Sequence, residues 1–421
     1  MLIDCDHRTP AAVDEGYPYI AIPQLKDGHI SLNGVRRISE ADYVEWTRKL
    51  KPQADDVIVV RRCNSGQSAH VPAGLECAIG QNLVVLRADG KFVRPDFLRW
   101  LVSGPDWWEQ VGKFINVGAV FDSLRCKDIP NFKLRVPPLE AQREISATLG
   151  AIDDRIALLR ETNATLEAIA QALFKSWFAD FDPVRAKQAG RAPEGMDEAT
   201  AALFPDSFED SELGEVPRGW QLGSVASLMR LHKGGVNPGD APEEWFQHFS
   251  LPAFDDGQTP LMQQGVEIKS NKTSVPDGAV LLSKLNPHIP RVWLPSSISA
   301  QAVCSTEFLV FAPSPISTTN FVYSLLNAPG FCGQLCQLVT GTSNSHQRVK
   351  PESVLSLPQV VPSAECIRAY DAVVDALYAR LKLNREAAQQ LASLRDTLLP
   401  RLISGQLRLP EATEAVEEAQ A

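Results

Sequence analysis

Three strings in this sequence come near to catalytic loops, and each lacks a residue that its chemistry requires. A loop that presents the amino group of an adenine for methyl transfer needs Asn/Asp-Pro-Pro followed by an aromatic ring. Asn286-Pro287-His288-Ile289 has one proline and no ring, and reads as a turn after a strand. No glycine-rich loop able to hold S-adenosylmethionine follows a strand. Magnesium-dependent cleavage needs Pro-Asp and then acidic-x-Lys to hold the ion and polarise water. Pro276-Asp277 is followed by Lys284, but Leu282 stands where the second acid belongs. The phosphate-binding Gly-x4-Gly-Lys-Ser/Thr fails at both ends, because Gly112-Lys113 is preceded by Trp107 and followed by Phe114. The seven histidines show no His-x-x-x-His spacing, and no further Cys or His completes Cys332 and Cys336 as a zinc set. The residues therefore argue against a self-contained methyltransferase, metal nuclease or nucleotide hydrolase, a third reading that methylation or cleavage by the chain without partners would revive. The eight cysteines read as reduced thiols.

Other residues have the types that read base edges: Arg for guanine, Asn or Gln for adenine, with Ser and Thr more permissive. Arg61, Arg62, Asn64 and Ser65 follow an apolar run at the point where a loop would leave a strand. Arg36 and Arg37 form a second basic pair, and Gln81 precedes another apolar run. Behind Gly341 lie Ser343, Asn344, His346, Gln347 and Arg348, while Lys284 and Arg291 flank the Asn-Pro turn. A solvated surface residue is the plainer account of any one of these. The density of planar donors and acceptors ending at Arg348 sets that run apart.

A formal net charge of −10, taken as a sum, opposes phosphate binding. Its distribution removes the objection. Residues 1–136 hold 18 basic and 17 acidic side chains, and residues 214–362 hold 9 and 10, so both stretches are near neutral.

The elements that must position these residues repeat along the chain with a displacement of about 224 residues. Asp56-Val-Ile-Val-Val-Arg-Arg resembles Asp277-Gly-Ala-Val-Leu-Leu-Ser-Lys, each a buried strand after an acidic turn. Phe97-Leu-Arg-Trp-Leu-Val resembles Phe321-Val-Tyr-Ser-Leu-Leu, each a short amphipathic helix after a strand. Polar loops follow at Asn116-Val-Gly-Ala and Thr340-Gly-Thr-Ser-Asn-Ser. Pro-bounded strands at Leu134-Arg-Val-Pro-Pro and Leu357-Pro-Gln-Val-Val-Pro then lead into two long helices.

The first long helix has a 4-3 seam at Ile145, Leu149, Ile152, Ile156, Leu159, Asn163, Leu166, Ala170, Leu173 and Trp177. The second has Tyr370, Val374, Leu377, Leu381, Asn384, Ala388, Leu391, Arg395, Leu398 and Leu402. This spacing predicts a left-handed coiled coil in which the helices are each other's partners and Asn163 fixes the register. At 1.5 Å per residue each helix reaches roughly 50–60 Å. The blander alternative is two amphipathic helices packed on separate cores.

The resulting fold class is mixed α/β: two globular domains joined by an antiparallel coiled coil, with a pseudo-two-fold internal repeat. The boundaries are 1–136 for the first domain, 137–182 for the first helix, 183–213 for a linker, 214–362 for the second domain, 363–409 for the second helix and 410–421 for an acidic, disordered tail. A length of 421 residues suits several domains, and 44% hydrophobic with 22% charged residues suits a globular protein. No apolar run approaches a membrane span, and the N-terminus is polar where a signal peptide would be apolar, so the expected location is cytoplasmic and no membrane partner is expected.

The stretch Pro137-Pro-Leu-Glu-Ala-Gln-Arg-Glu-Ile, continuing through Leu166-Glu-Ala-Ile-Ala-Gln-Ala-Leu-Phe-Lys-Ser-Trp-Phe-Ala-Asp-Phe-Asp-Pro-Val-Arg-Ala-Lys187, resembles the central region of type I restriction–modification specificity subunits. Leu213-Gly-Glu-Val-Pro-Arg-Gly-Trp-Gln-Leu resembles the opening of such a subunit's second target-recognition domain. Leu394-Arg-Asp-Thr-Leu-Leu-Pro-Arg-Leu-Ile-Ser-Gly-Gln-Leu resembles the end of its second helix. The resemblance implies a non-catalytic, double-stranded-DNA-binding subunit that recognises two half-sites. It implies two methyltransferase subunits docked on the helices and a motor-nuclease subunit. S-adenosylmethionine, ATP and magnesium would belong to those partners, with no cofactor on this chain. One departure is that Asp4-Cys-Asp-His-Arg-Thr-Pro has no counterpart of Gly219-Trp-Gln-Leu. The first domain is therefore expected to lack its first strand, which leaves open an adapter whose first domain does not read DNA.

Overall fold

The structure is a computed structural model that describes residues 1–117, 122–339, 347–407 and 412. It divides into two compact units, one of residues 1–156 with 390–421 and one of residues 157–389. It is a mixed α/β fold with two helices of 40 residues, Leu139–Phe178 and Ala364–Ile403, to which both units contribute.

In the first unit, the run Val57–Val60 is buried at every position. It lies inside a four-stranded sheet ordered Leu2–Asp4, Leu83–Leu86, Val57–Val60, Ser68–His70. Ile58 and Val60 pack with Ile20, Leu83 and Val85 on one face, while Val57 and Val59 pack with Val84, Leu98 and Trp107 on the other. A sheet covered on both faces needs an unbroken apolar run rather than alternation, and the sequence supplies one. A second sheet is ordered Arg36–Ile38, Tyr17–Ile20, Ala78–Ile79.

The second unit has the same kinds of part. Val280–Ser283 is wholly buried in a sheet ordered Met229–His232, Phe308–Pro313, Val280–Ser283, Val292–Trp293. Beside it is a five-stranded sheet that ends in the antiparallel pair Trp245–Phe249 and Leu261–Gln264. In each unit the short helix at Phe97 or Phe321 is followed by another, Pro105–Phe114 or Pro329–Gln337, ahead of the expected polar loop, of which residues 118–119 and 340–345 lie outside the described residues. Both begin with proline at the first turn, where its missing N–H costs nothing.

The long helices bury their apolar stripes. In the first unit Ile145, Leu149, Ile152, Ile156, Leu391 and Leu398 are buried. In the second, Leu159, Leu381 and Asn384 are buried and Leu166 and Leu377 half-buried. There Asn384 Nδ2 donates to Asn163 Oδ1 at 2.9 Å, and Asn163 Nδ2 donates to the Leu381 carbonyl at 3.2 Å. Buried amides that satisfy one another admit one register and penalise a slip.

Two expectations need correction. Leu134–Pro138 forms no strand, whereas Pro358–Val361 does, by pairing with Gln221–Ser224. A strand requires a partner edge, and none of the described strands pairs with Leu134. The 183–213 segment is folded rather than a loose linker. It holds the helices Asp182–Gln188 and Glu198–Ala202, and Val184 and Phe204 are buried with Trp177 and Trp220. Two well-placed apolar side chains anchor a segment whose composition reads as flexible. The tail beyond Leu407 lies outside the described residues, Ala412 excepted. No described helix is long and apolar enough to cross a membrane.

Candidate nucleic-acid interface

The buried strand of the first unit delivers Arg61–Ser65 to a loop held by main-chain bonds. Arg61 N donates to the Asn82 carbonyl at 2.8 Å, Leu124 N to the Arg61 carbonyl at 2.8 Å, and Cys63 N to the Asp122 carbonyl at 3.4 Å. Arg62 and Ser123 form a bridge. Cys63 and Asn64 have φ of 58° and 75°, in the left-handed region that asparagine tolerates better than most residues. The Asp122 carboxylate stabilises this turn by accepting from Asn64 N at 3.1 Å and Ser65 N at 2.9 Å. Burial pushes its pKa up, but the hydrogen bonds it accepts, those from the Ser65 and Asn64 amides foremost, together outweigh burial and leave it below the usual carboxylate range.

The turn sorts the candidates. Arg62, Asn64, Asn116 and Val117 are exposed at its tip. Ser65 is buried, and its hydroxyl donates to the Arg61 carbonyl at 2.8 Å, so it supports the turn from within. The Arg61 guanidinium is 3.1 Å from Asp4 and only 15% exposed. Elsewhere in the unit, Arg36 donates to the Pro10 carbonyl and Gln81 to the Thr9 hydroxyl, both at 3.0 Å, so these two tie down the Arg8–Pro10 segment. Arg37 donates to the Gly16 carbonyl at 2.8 Å and remains exposed.

The second unit builds the same frame. Lys284 N donates to the Glu307 carbonyl at 2.9 Å, Val349 N to the Lys284 carbonyl at 3.0 Å, and Asn286 N to the Gln347 carbonyl at 2.8 Å. Leu285 bridges Arg348, and Asn286 takes a φ of 50°. Lys284, Gln347 and Arg348 are thus brought together. Arg348 forms a two-pronged ion pair with Glu307, at 3.1 and 3.0 Å, and keeps 44% of its side chain exposed. Arg291 is apart from them, held by Asp255 at 2.7 and 2.9 Å and 13% exposed. Ser343, Asn344 and His346 lie outside the described residues.

Sequence reading missed Asp122 and Glu307, whose roles come from contacts far apart in the chain. It also missed an exposed apolar set on the edge of the five-stranded sheet: Trp245, Leu261 and Met262, exposed by 56%, 49% and 56%. Apolar side chains can touch a thymine methyl group. The only sequence signal was Leu-Met-Gln-Gln, which alone does not tell an exposed edge from a core strand.

Residues 8–168 match the family model described as type I restriction modification DNA specificity domain. The specificity subunit of type I restriction enzyme HindI from Haemophilus influenzae is 25% identical over 385 residues, covering 78% of this chain and 81% of that one. The MjaIX specificity subunit from Methanocaldococcus jannaschii is 22% identical over 391 residues, covering 90% and 83%. In fold, the chain is similar to the crystal structure of a type I restriction–modification S subunit from M. genitalium, with a TM-score of 0.50, 14% identity and coverage of 96% and 93%. Exposed, backbone-framed loops rich in Arg, Asn and Gln agree with these relationships: residues 8–168 match the type I restriction–modification DNA specificity domain, and over most of its length the chain is similar to type I specificity subunits.

Proposed function

We propose that the chain recognises a split DNA target, with the loop cluster of each unit reading one half-site in the major groove. The observation that carries this reading is the recurrence of one hydrogen-bonded frame, at Arg61–Cys63 and at Lys284–Asn286, each presenting polar side chains at the end of a buried strand. Arg62, Asn64, Arg37, Lys284, Gln347 and Arg348 are the proposed contacts, joined by Ser343, Asn344 and His346. The long helices pair as an antiparallel coiled coil and act as a ruler, and the two halves form a pseudo-two-fold repeat. Half-sites on one face of a duplex lie about 34–36 Å apart or at multiples of that distance, which a rod of roughly 50–60 Å can hold. The helices also dock two methyltransferase subunits that bring S-adenosylmethionine and methylate adenine, and a motor-nuclease subunit that uses ATP and magnesium joins them. The chain itself catalyses nothing and acts in the cytoplasm.

A second reading makes the chain an adapter whose first unit does not read bases. An apolar cavity of about 700 Å³ in that unit favours it, bordered by Leu86, Leu98, Trp107 and the unpaired Leu134. A genome-wide map of adenine methylation in the source cell, with and without the gene, separates the two. Two short blocks around a fixed gap, lost on deletion, support the split target. A gene-dependent motif with one block, or none, moves the adapter reading to first place.

A further inference from the structure

Within each unit, one acid of the first long helix is met by an arginine of the second and by a donor from the globular part. In the first unit the acid is Asp153, only 6% exposed. Arg395 Nη1 is 2.7 Å from its Oδ1, and Arg99 Nη1 is 3.2 Å from its Oδ2. His29 Nε2 stands 3.7 Å away, and the Arg99 guanidinium also lies 3.4 Å from both ring nitrogens of His70. In the second unit the acid is Glu167. Arg385 Nη2 is 2.9 Å from its Oε1, and the buried Tyr323 hydroxyl donates to the same oxygen at 2.6 Å. Arg385 also donates to the Leu294 carbonyl at 3.2 Å.

The donors are matched in position. Arg99 is the fifth residue of Pro95–Leu101, and Tyr323 is the fifth of Thr319–Asn327. These are the short helices that lie against the sheet carrying each loop cluster.

We propose that Asp153 and Glu167 are positioning residues that fix the angle of each recognition module on the helices, and through it the number of base pairs allowed between the half-sites. Apolar packing alone tolerates small slides and rotations, because one methyl contact replaces another. A carboxylate shared by two donors does not: a slight rotation unpairs a charge, at Asp153 in a buried, low-dielectric site and at Glu167, 34% exposed, in a half-buried one. Each acid joins three elements at one point, so the module turns only at the expense of its bond to that acid. This rests on the split-target reading.

The test uses the assembled complex with its methyltransferase subunits. Duplexes carry both half-sites, taken from the methylation map, with the gap set at the preferred length and at one and two base pairs shorter and longer. Asp153→Asn, Glu167→Gln and the gentler Tyr323→Phe are compared with the unaltered complex. The expected result is unchanged half-site bases with about a tenfold loss of discrimination between the preferred gap and its neighbours, and partial recovery in Glu167→Asp. Unchanged discrimination overturns the proposal, as does an equal loss of affinity at every gap, which marks a merely structural role. If the unaltered complex prefers no gap, the split-target reading falls first and takes this proposal with it. Tyr323→Phe removes one hydroxyl and no charge, so it reports even if the charge variants do not assemble.

Discussion

Ser65 and Asn64 are neighbours of similar polarity, yet one faces the core and the other faces outward. No composition rule separates them, because the turn that does so depends on Asp122, 57 residues further along. Residue types therefore pointed to this loop but could not say which of its members are exposed. Arg348 illustrates the same limit, since its guanidinium is already engaged by Glu307. Gln347→Ala and Arg348→Ala are expected to weaken recognition at one half-site about 5- to 150-fold, equivalent to 1–3 kcal/mol, and to leave partner binding intact. Equal loss of complex assembly would count against the assignment. His70 supplies a pH signature. Burial, aided by the Arg99 charge, lowers its pKa from 6.5 to about 4. The unfolded chain therefore takes up a proton that the folded chain refuses, and stability present above pH 6.5 falls as pH drops from there toward 4. The cost is on the order of 3 kcal/mol. Melting temperatures over this range should decline, and the decline should shrink in His70→Gln. An undiminished slope would assign it to other groups.

The long helices were legible as elements because heptad spacing is local and redundant, so one missing position does not erase the pattern. The partner of Leu134 was not legible, since strand formation depends on an edge supplied from elsewhere. The anchoring of Val184 and Phe204 was hidden for a related reason: two apolar residues in a polar stretch carry little periodic signal. At the seam, Leu159→Asp places a charge at a position that is 6% exposed and should disrupt assembly or alter the gap between half-sites. Unchanged assembly with an unchanged gap would count against the ruler. Replacing both amides, Asn163→Leu with Asn384→Leu, should do the reverse of a core lesion. It should leave the melting temperature equal or higher while widening the range of gaps accepted, because no polar pair then specifies register. A sharp fall in melting temperature with gap selection intact would refute this.

For the whole molecule, a net charge of −10 coexists with near-neutral globular stretches, so DNA affinity must come from local patches rather than a general field. Binding should weaken by at least tenfold between 50 and 200 mM salt if only a few phosphates are neutralised. The preference for cognate over scrambled half-sites should change much less, since base-edge contacts release few counterions. Titrations of the assembled complex at both salt concentrations measure the two quantities, and specificity that collapses together with affinity would point to phosphate contacts alone.

The bonds that seat the two loop clusters on their strands run from main-chain N–H to main-chain carbonyl: Leu124 to Arg61 and Cys63 to Asp122 in one, Val349 to Lys284 and Asn286 to Gln347 in the other. Such bonds are indifferent to which side chains the same residues carry. Heredity can therefore rewrite the tip of either loop, by substitution or by exchange of a whole segment between related genes, with little penalty to folding. If each loop cluster reads one half-site, as proposed, new target words become accessible through few mutations, and the two words can change independently of one another.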